Sequence, residues 1–144
     1  MFVDTNVLVR ARFEAAPNHR LARQCMQDIG DSGEALRISR QVLREYLATV
    51  TRPQQWSPAI SMEPALADIA TLANAFEILE DGPLVTETLA ALCREVPVGG
   101  RQIHDANIAA TMLAHGERRL LTFNADDFRR YGDRIEMIGL ETTP

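Results

Sequence analysis

Met1-Phe2-Val3-Asp4-Thr5-Asn6 opens the chain, a short apolar run that ends at once in an acid, a hydroxyl and an amide. So brief an apolar segment reads as a short buried strand. In open α/β sheets, ligands bind just beyond the carboxyl ends of the strands. Asp4 therefore falls at the rim of such a site. A plainer role competes with this one: Asp and Thr are favoured helix caps, and a helix is expected to begin near Val7. The rest of the chain has to decide between the two.

Outward from that stretch, strand-like and helix-like periods alternate. Helical spacing of apolar residues predicts helices over 7–13, 19–31, 40–51, 63–75, 83–95 and 102–114, with a short one from 124 or 125 to 131. Asn18 and Ser39 stand where caps are wanted, and Pro83 opens a helix as proline can. Short apolar runs over 35–38, 76–79, 119–122 and 135–138 read as further strands. Strands alternating with helices imply a parallel sheet covered on both faces. One domain over 1–144 is expected, with no internal repeat and no interdomain linker.

Composition narrows the classes of function. The chain is 46% hydrophobic and 24% charged, the balance of a globular protein with a proper core. No apolar run approaches the roughly 20 residues of a membrane span. Asp4, Arg10 and Arg12 interrupt any signal-peptide pattern, so a cytoplasmic location is expected. Cys25 and Cys93 form no C-x-x-C pair and read as small buried hydrophobes in a reducing compartment. Acids outnumber bases 20 to 15, for a net charge of −5, and every base is Arg. Such a chain gains nothing overall from counterion release on nucleic acid. Binding RNA would require local Arg clusters, a bound cation, or both. Arg37, Arg40 and Arg44 form one cluster, and Arg129 and Arg130 another.

Further acids fall where they can join Asp4. Asp105, Ala109 and Met112 share one helical row, so the acid heads a row that is apolar further down. Asp105 also lies in the first turn, where the helix dipole alone favours an anion. Glu45 sits off the apolar stripe of its helix and by periodicity passes for an exposed residue. Asn124 and Asp127 follow the strand ending at Thr122; they read either as a variant capping box or as polar groups at the same rim. Carboxylates gathered at one rim repel one another unless a cation lies among them. Oxygen ligands without Cys or paired His select Mg²⁺ or Mn²⁺ over zinc, and such an ion suits phosphodiester hydrolysis.

Four pieces in order carry a resemblance: Phe2-Val3-Asp4-Thr5-Asn6; Glu45 after the second strand; Gly100 through His104-Asp105-Ala106 into Ile108-Ala109-Ala110; and Leu121-Thr122-Phe123-Asn124 into Asp127-Phe128. Over its whole length the chain resembles PIN-domain ribonucleases, specifically VapC-type toxins of type II toxin–antitoxin pairs. The resemblance implies a three-layer α/β/α fold with a short, mainly parallel central sheet. It also implies a Mg²⁺-dependent endoribonuclease acting on tRNA or rRNA, a cognate VapB-like antitoxin and a homodimer. Asp4 and Asp105 match the family's metal ligands, Glu45 its second acid, and Thr5 and Asn6 the pair that orients the first Asp. Where the family often has an acid after the Thr, this chain has Asn124. Either Asp127 substitutes, with Asp126 as a further neighbour, or the site runs on three carboxylates.

Several other residues can be placed from the sequence. In a helix His104 points about 100° away from Asp105, which argues against a general base. Arg10, Arg12, Arg37, Arg40 and Arg101 are candidates to grip an RNA backbone. Trp56, in a Pro-bounded loop, reads as a contact for a hydrophobic partner or a second copy rather than a platform for bases. Two alternatives stand beside the nuclease: a catalytically silent PIN-fold module that binds RNA or protein, and an enzyme using Asp4 as a nucleophile. The lack of a second Asp at Asn6 weighs against the latter.

Overall fold

The computed structural model of the chain describes residues 1–140. Its five strands, β1 (Phe2–Val3), β2 (Arg37–Ser39), β3 (Glu77–Leu79), β4 (Arg119–Thr122) and β5 (Glu136–Gly139), form one sheet in the order β3-β2-β1-β4-β5. Every pairing is parallel. β1 is only two residues long, yet it lies at the centre. Phe2 pairs with Arg37 on one side and Leu120 on the other, and Val3 pairs with Leu121. The ladder extends past both ends of β1: Arg37 N donates to Met1 O at 2.9 Å and Asp4 N donates to Leu121 O at 3.0 Å. Phe2, Val3, Leu120 and Leu121 are wholly buried. A parallel strand covered on both faces reads as an unbroken apolar run, which explains the absence of alternation there.

The helices are α1 (Thr5–Arg12), α2 (His19–Asp31), α3 (Arg40–Val50), α4 (Met62–Ala75), α5 (Pro83–Glu95) and α6 (Gln102–Ala114). A 3₁₀ segment over Ala125–Arg134 precedes β5. From β1 the chain steps outward to β2 and β3, then returns past β1 to β4 and β5. Right-handed crossovers place α1 to α4 over one face, and α5, α6 and the 3₁₀ segment over the other. The packing agrees: α1 rests on α2 and α3, α3 on α4, α5 on α6, and α6 on the 3₁₀ segment. The order therefore reverses between β1 and β4. A crevice opens at the carboxyl ends of strands at such a switch point. Asp4 and Thr122 end those two strands.

Local differences from the expected boundaries have physical causes. α1 starts at Thr5, not Val7, because Asp4 itself caps it. β2 runs over Arg37–Ser39 rather than 35–38, since its register is set by Phe2 and by Ile78 of β3. Ser39 ends that strand and caps α3 in the same stroke, its hydroxyl accepting from Val42 N at 3.4 Å. Asn18 does precede α2, with φ 60°. The short helix after β4 is 3₁₀, and at Gly132 (φ 57°) it kinks in a conformation that glycine adopts without strain. Cys93, expected to be buried, is exposed. Only Cys25 fits the reading of a partly buried small hydrophobe.

Ser39 caps the helix that carries Glu45, so Ser39→Ala is expected to lower the free energy of unfolding by about 1 kcal/mol, measured by urea denaturation.

Candidate functional site

At the switch point, Asp4 is 7% exposed and both its carboxylate oxygens accept hydrogen bonds. Oδ1 accepts from Thr5 N at 2.8 Å, which is the helix cap. Oδ2 accepts from the Thr122 hydroxyl at 2.8 Å and from Asn6 Nδ2 at 3.2 Å. Asn6 is held in turn, its Oδ1 accepting from Phe123 N at 3.1 Å. The two readings of Asp4 thus coexist: one oxygen caps α1, and the carboxyl still lines a cavity of about 520 Å³ at the sheet edge.

Glu45, Asp105, Asn124 and Asp127 line that same cavity, together with Thr5 and Asn6. The expected site residues are therefore brought to one edge from four separate segments of the chain. Glu45 is half-buried rather than exposed, because the Thr5 hydroxyl donates to its Oε2 and Gln41 Nε2 to its Oε1, both at 2.9 Å. Gln41 also donates to the His104 carbonyl at 2.8 Å, and its own Oε1 accepts from Asn107 at 2.8 Å. This buried glutamine ties α3 on one face of the sheet to α6 on the other. Asp105 stands above Ala109 and Met112, both wholly buried, so its row does run into the core.

The electrostatics follow from this crowding. Burial pushes the Asp4 carboxyl up to about 6, with the Glu45 and Asp105 charges adding to it and the Thr122 and Thr5 hydrogen bonds opposing it. Asp105 is likewise raised to about 6, first by burial, then by the charges of Asp127 and Glu45, while Arg130 and His104 pull it down. Strongly raised carboxyls in a cleft mark a functional site. Among the described residues, no three His, Cys, Asp or Glu side chains stand in a ready-formed metal cage. The donor chemistry nonetheless fits a hard cation: four acids, with no Cys or His lining the cavity among the described residues.

Of the two readings of Asn124, the capping box does not form: its side chain makes no cap hydrogen bond. Asn124 N instead donates to the Thr122 hydroxyl at 2.9 Å, and Asp127 N donates to the Asn124 carbonyl at 3.1 Å. This turn carries Asp127 into the cavity, whereas Asp126 points elsewhere and pairs with Arg129 at 2.9 Å. His104 is exposed and does not line the cavity. Of the candidate cations only Arg10 lines it. Arg12 pairs with Asp68, Arg37 with Glu77 and Arg40 with Glu80, so the cluster around Arg37 and Arg40 is neutralised by neighbouring acids.

Sequence reasoning missed Thr122 and Gln41 as supports, and Arg52 and Gln54 as cavity residues. The spacing of Gln41 to Glu45, one helical turn, was an available signal. Trp56, expected as a partner contact, lines the acidic cavity because its loop folds back: Ile60 N donates to Val50 O at 2.9 Å, and the ring packs on Phe13 with centroids 5.4 Å apart.

The family model described as the PIN domain matches residues 1–134. No curated protein sequence matches the chain. Among solved structures, VapBC2 from Rickettsia felis, bound to a DNA fragment from its promoter, aligns with a TM-score of 0.73 at 19% identity, covering 97% of this chain and 98% of that one. A toxin–antitoxin complex from Klebsiella pneumoniae aligns at 0.68 with 20% identity, over 99% and 98%. VapC20 of Mycobacterium tuberculosis, a toxin that cleaves the sarcin–ricin loop, aligns at 0.68 with 19% identity, over 99% and 98%. At such identities the likeness is one of fold.

A carboxyl raised in the folded state favours folding at low pH, and that contribution is lost as pH rises through the folded value. In chelator, Tm is therefore expected to fall between pH 4 and about 6.5, the range set by the two carboxyls raised to about 6. Asp105→Asn should raise Tm at pH 7.5, leave it unchanged near pH 4, and flatten the profile in between, as read by thermal scans.

Proposed function

Because the chain belongs to the PIN-domain family, its model matching residues 1–134, we propose that it is a divalent-metal-dependent endoribonuclease, the toxin of a toxin–antitoxin pair that inhibits translation. The observation that carries this reading is the meeting of Asp4, Glu45, Asp105 and Asp127 around one cavity, each from a different element. Burial, with the charges of neighbouring acids adding to it, raises the Asp4 and Asp105 carboxyls, a standing cost that a bound cation relieves. Asp4 and Asp105 would hold Mg²⁺ or Mn²⁺, with Glu45 and Asp127 binding directly or through water. An ion of that class neutralises charge on a phosphodiester and lowers the pKa of water.

The protein's own groups do the rest. The Thr122 hydroxyl and the Asn6 amide aim the Asp4 carboxylate, and Gln41 and Thr5 aim Glu45. Carboxylates fixed by hydrogen bonds from buried donors need little reorganisation when a ligand arrives. The substrate would be tRNA or rRNA, as the similarity to VapC toxins suggests, and a VapB-like antitoxin would cover the site. A homodimer accords with the same family. Among the described residues no helix is long and apolar enough to cross a membrane.

Sequencing of RNA 5′ ends after brief expression tests this reading. Wild-type protein should give new ends that Asp4→Ala and Asp105→Ala lack; ends common to all three would leave the protein a binding module. In vitro, EDTA should stop cleavage and Mg²⁺ or Mn²⁺ restore it. Thr122→Val should lower metal affinity or activity roughly 10- to 100-fold, because it removes both the donor to Asp4 and the acceptor that holds the turn before Asp127. Comparing Asp127→Ala with Asn124→Ala decides the fourth position: loss only in the former assigns Asp127.

A further inference from the structure

The cavity is not acidic throughout. From the strand ends it runs along α1 and α3, whose lining residues recur at helical spacing: Asn6, Val9 and Arg10 on one, Glu45, Ala48 and Thr49 on the other. Glu45 and Thr49 stand about one turn apart along α3, roughly 6 Å, and Arg52 follows just past the helix end. At that far end lies Trp56, half-buried and tilted 52° against Phe13. Its loop is pinned, with Gln54 Nε2 donating to the Thr49 carbonyl at 3.0 Å and Gln54 bridged to Ser57. Arg10 lies over the Phe123 ring at 4.2 Å, and its Nη1 is buried without a hydrogen-bond partner.

We propose that Trp56 is a specificity-determining residue that stacks on an unpaired base of single-stranded RNA, next to the nucleotide whose phosphate lies among the acids, while Arg10 pairs with the neighbouring phosphate. The proposal rests on the endoribonuclease reading. A chain of net charge −5 repels a polyanion, so cations free to meet phosphate must sit at the site itself. Arg10 meets that requirement, whereas Arg12, Arg37 and Arg40 are paired with acids. An aromatic ring beside such a cation, at the edge of a polar cleft, is the combination that holds single strands: the cation takes the backbone and the ring takes a base of any identity. A ring already braced by Phe13 loses little conformational freedom on binding.

Trp56 is the sole tryptophan of the chain, so its emission reports directly on the contact. The probe is a fluorescein-labelled single-stranded RNA dodecamer added to full-length Asp105→Asn protein in Mg²⁺, which holds the strand uncut. Binding is read by anisotropy and stacking by tryptophan quenching. We expect quenching on binding, and a loss of affinity of roughly 5- to 150-fold when Trp56→Leu is added, the range of one base stack. Trp56→Leu keeps apolar bulk against Phe13, and an unchanged Tm shows that the loop has not unfolded. Trp56→Phe should recover most of the affinity. With Asp105 intact, Trp56→Leu should raise KM for cleavage and leave kcat nearly unchanged. Binding without quenching, or equal affinity of Trp56→Leu, would overturn the proposal and give the ring to a protein contact while the nuclease stands. Quenching by RNA that the wild-type protein never cuts would keep the stack and remove the nuclease.

Discussion

Negative oxygens crowd at the carboxyl edge of the sheet, and most of the arrangement around them answers to that constraint. Asp4 is buried at the end of the central strand, where an ionised carboxylate is costly unless donors surround it. The donors come from chain segments far apart in sequence: Thr122 at the end of β4, and Thr5 and Asn6 at the start of α1. Those hydrogen bonds compensate only in part, since burial and the nearby acids still raise the Asp4 pKa to about 6. The fold thus carries a standing electrostatic strain at this edge, as functional sites commonly do.

The supporting hydrogen bonds also explain how two opposite layers stay in register. Gln41 in α3 reaches Glu45 in its own helix and the His104 carbonyl of α6. Asn107 of α6 returns to Gln41 and extends to Asp81. The buried Gln41 needs its polar groups satisfied, and these bonds fix its geometry. Glu45 and the α6 backbone beside Asp105 are therefore tied to one another through Gln41 and not by the sheet alone.

The same cavity reconciles an acidic protein with a polyanionic ligand. Most candidate arginines are neutralised by acids on adjacent strands and helices, among them Arg37 by Glu77 and Arg40 by Glu80. Arg10 escapes such pairing because its neighbour is the Phe123 ring, a partner that attracts a cation without cancelling its charge. Positive charge is thereby kept where a ligand's phosphates would come.

The sequence by itself determined the alternation of short apolar runs with amphipathic helices, hence the layered parallel sheet. It also determined the place of Asp4 at a strand end and the inward row headed by Asp105. These are local properties: period, run length and cap chemistry act within a few residues. Tertiary structure alone decided that Glu45 is half-buried and not exposed, because that depends on the Thr5 hydroxyl and on Gln41. It alone admitted Asp127 to the cavity and left Asp126 outside, through a turn whose geometry depends on Thr122. It alone brought Trp56 beside the acids, since a loop's return path follows from long-range contacts that no period in the sequence records.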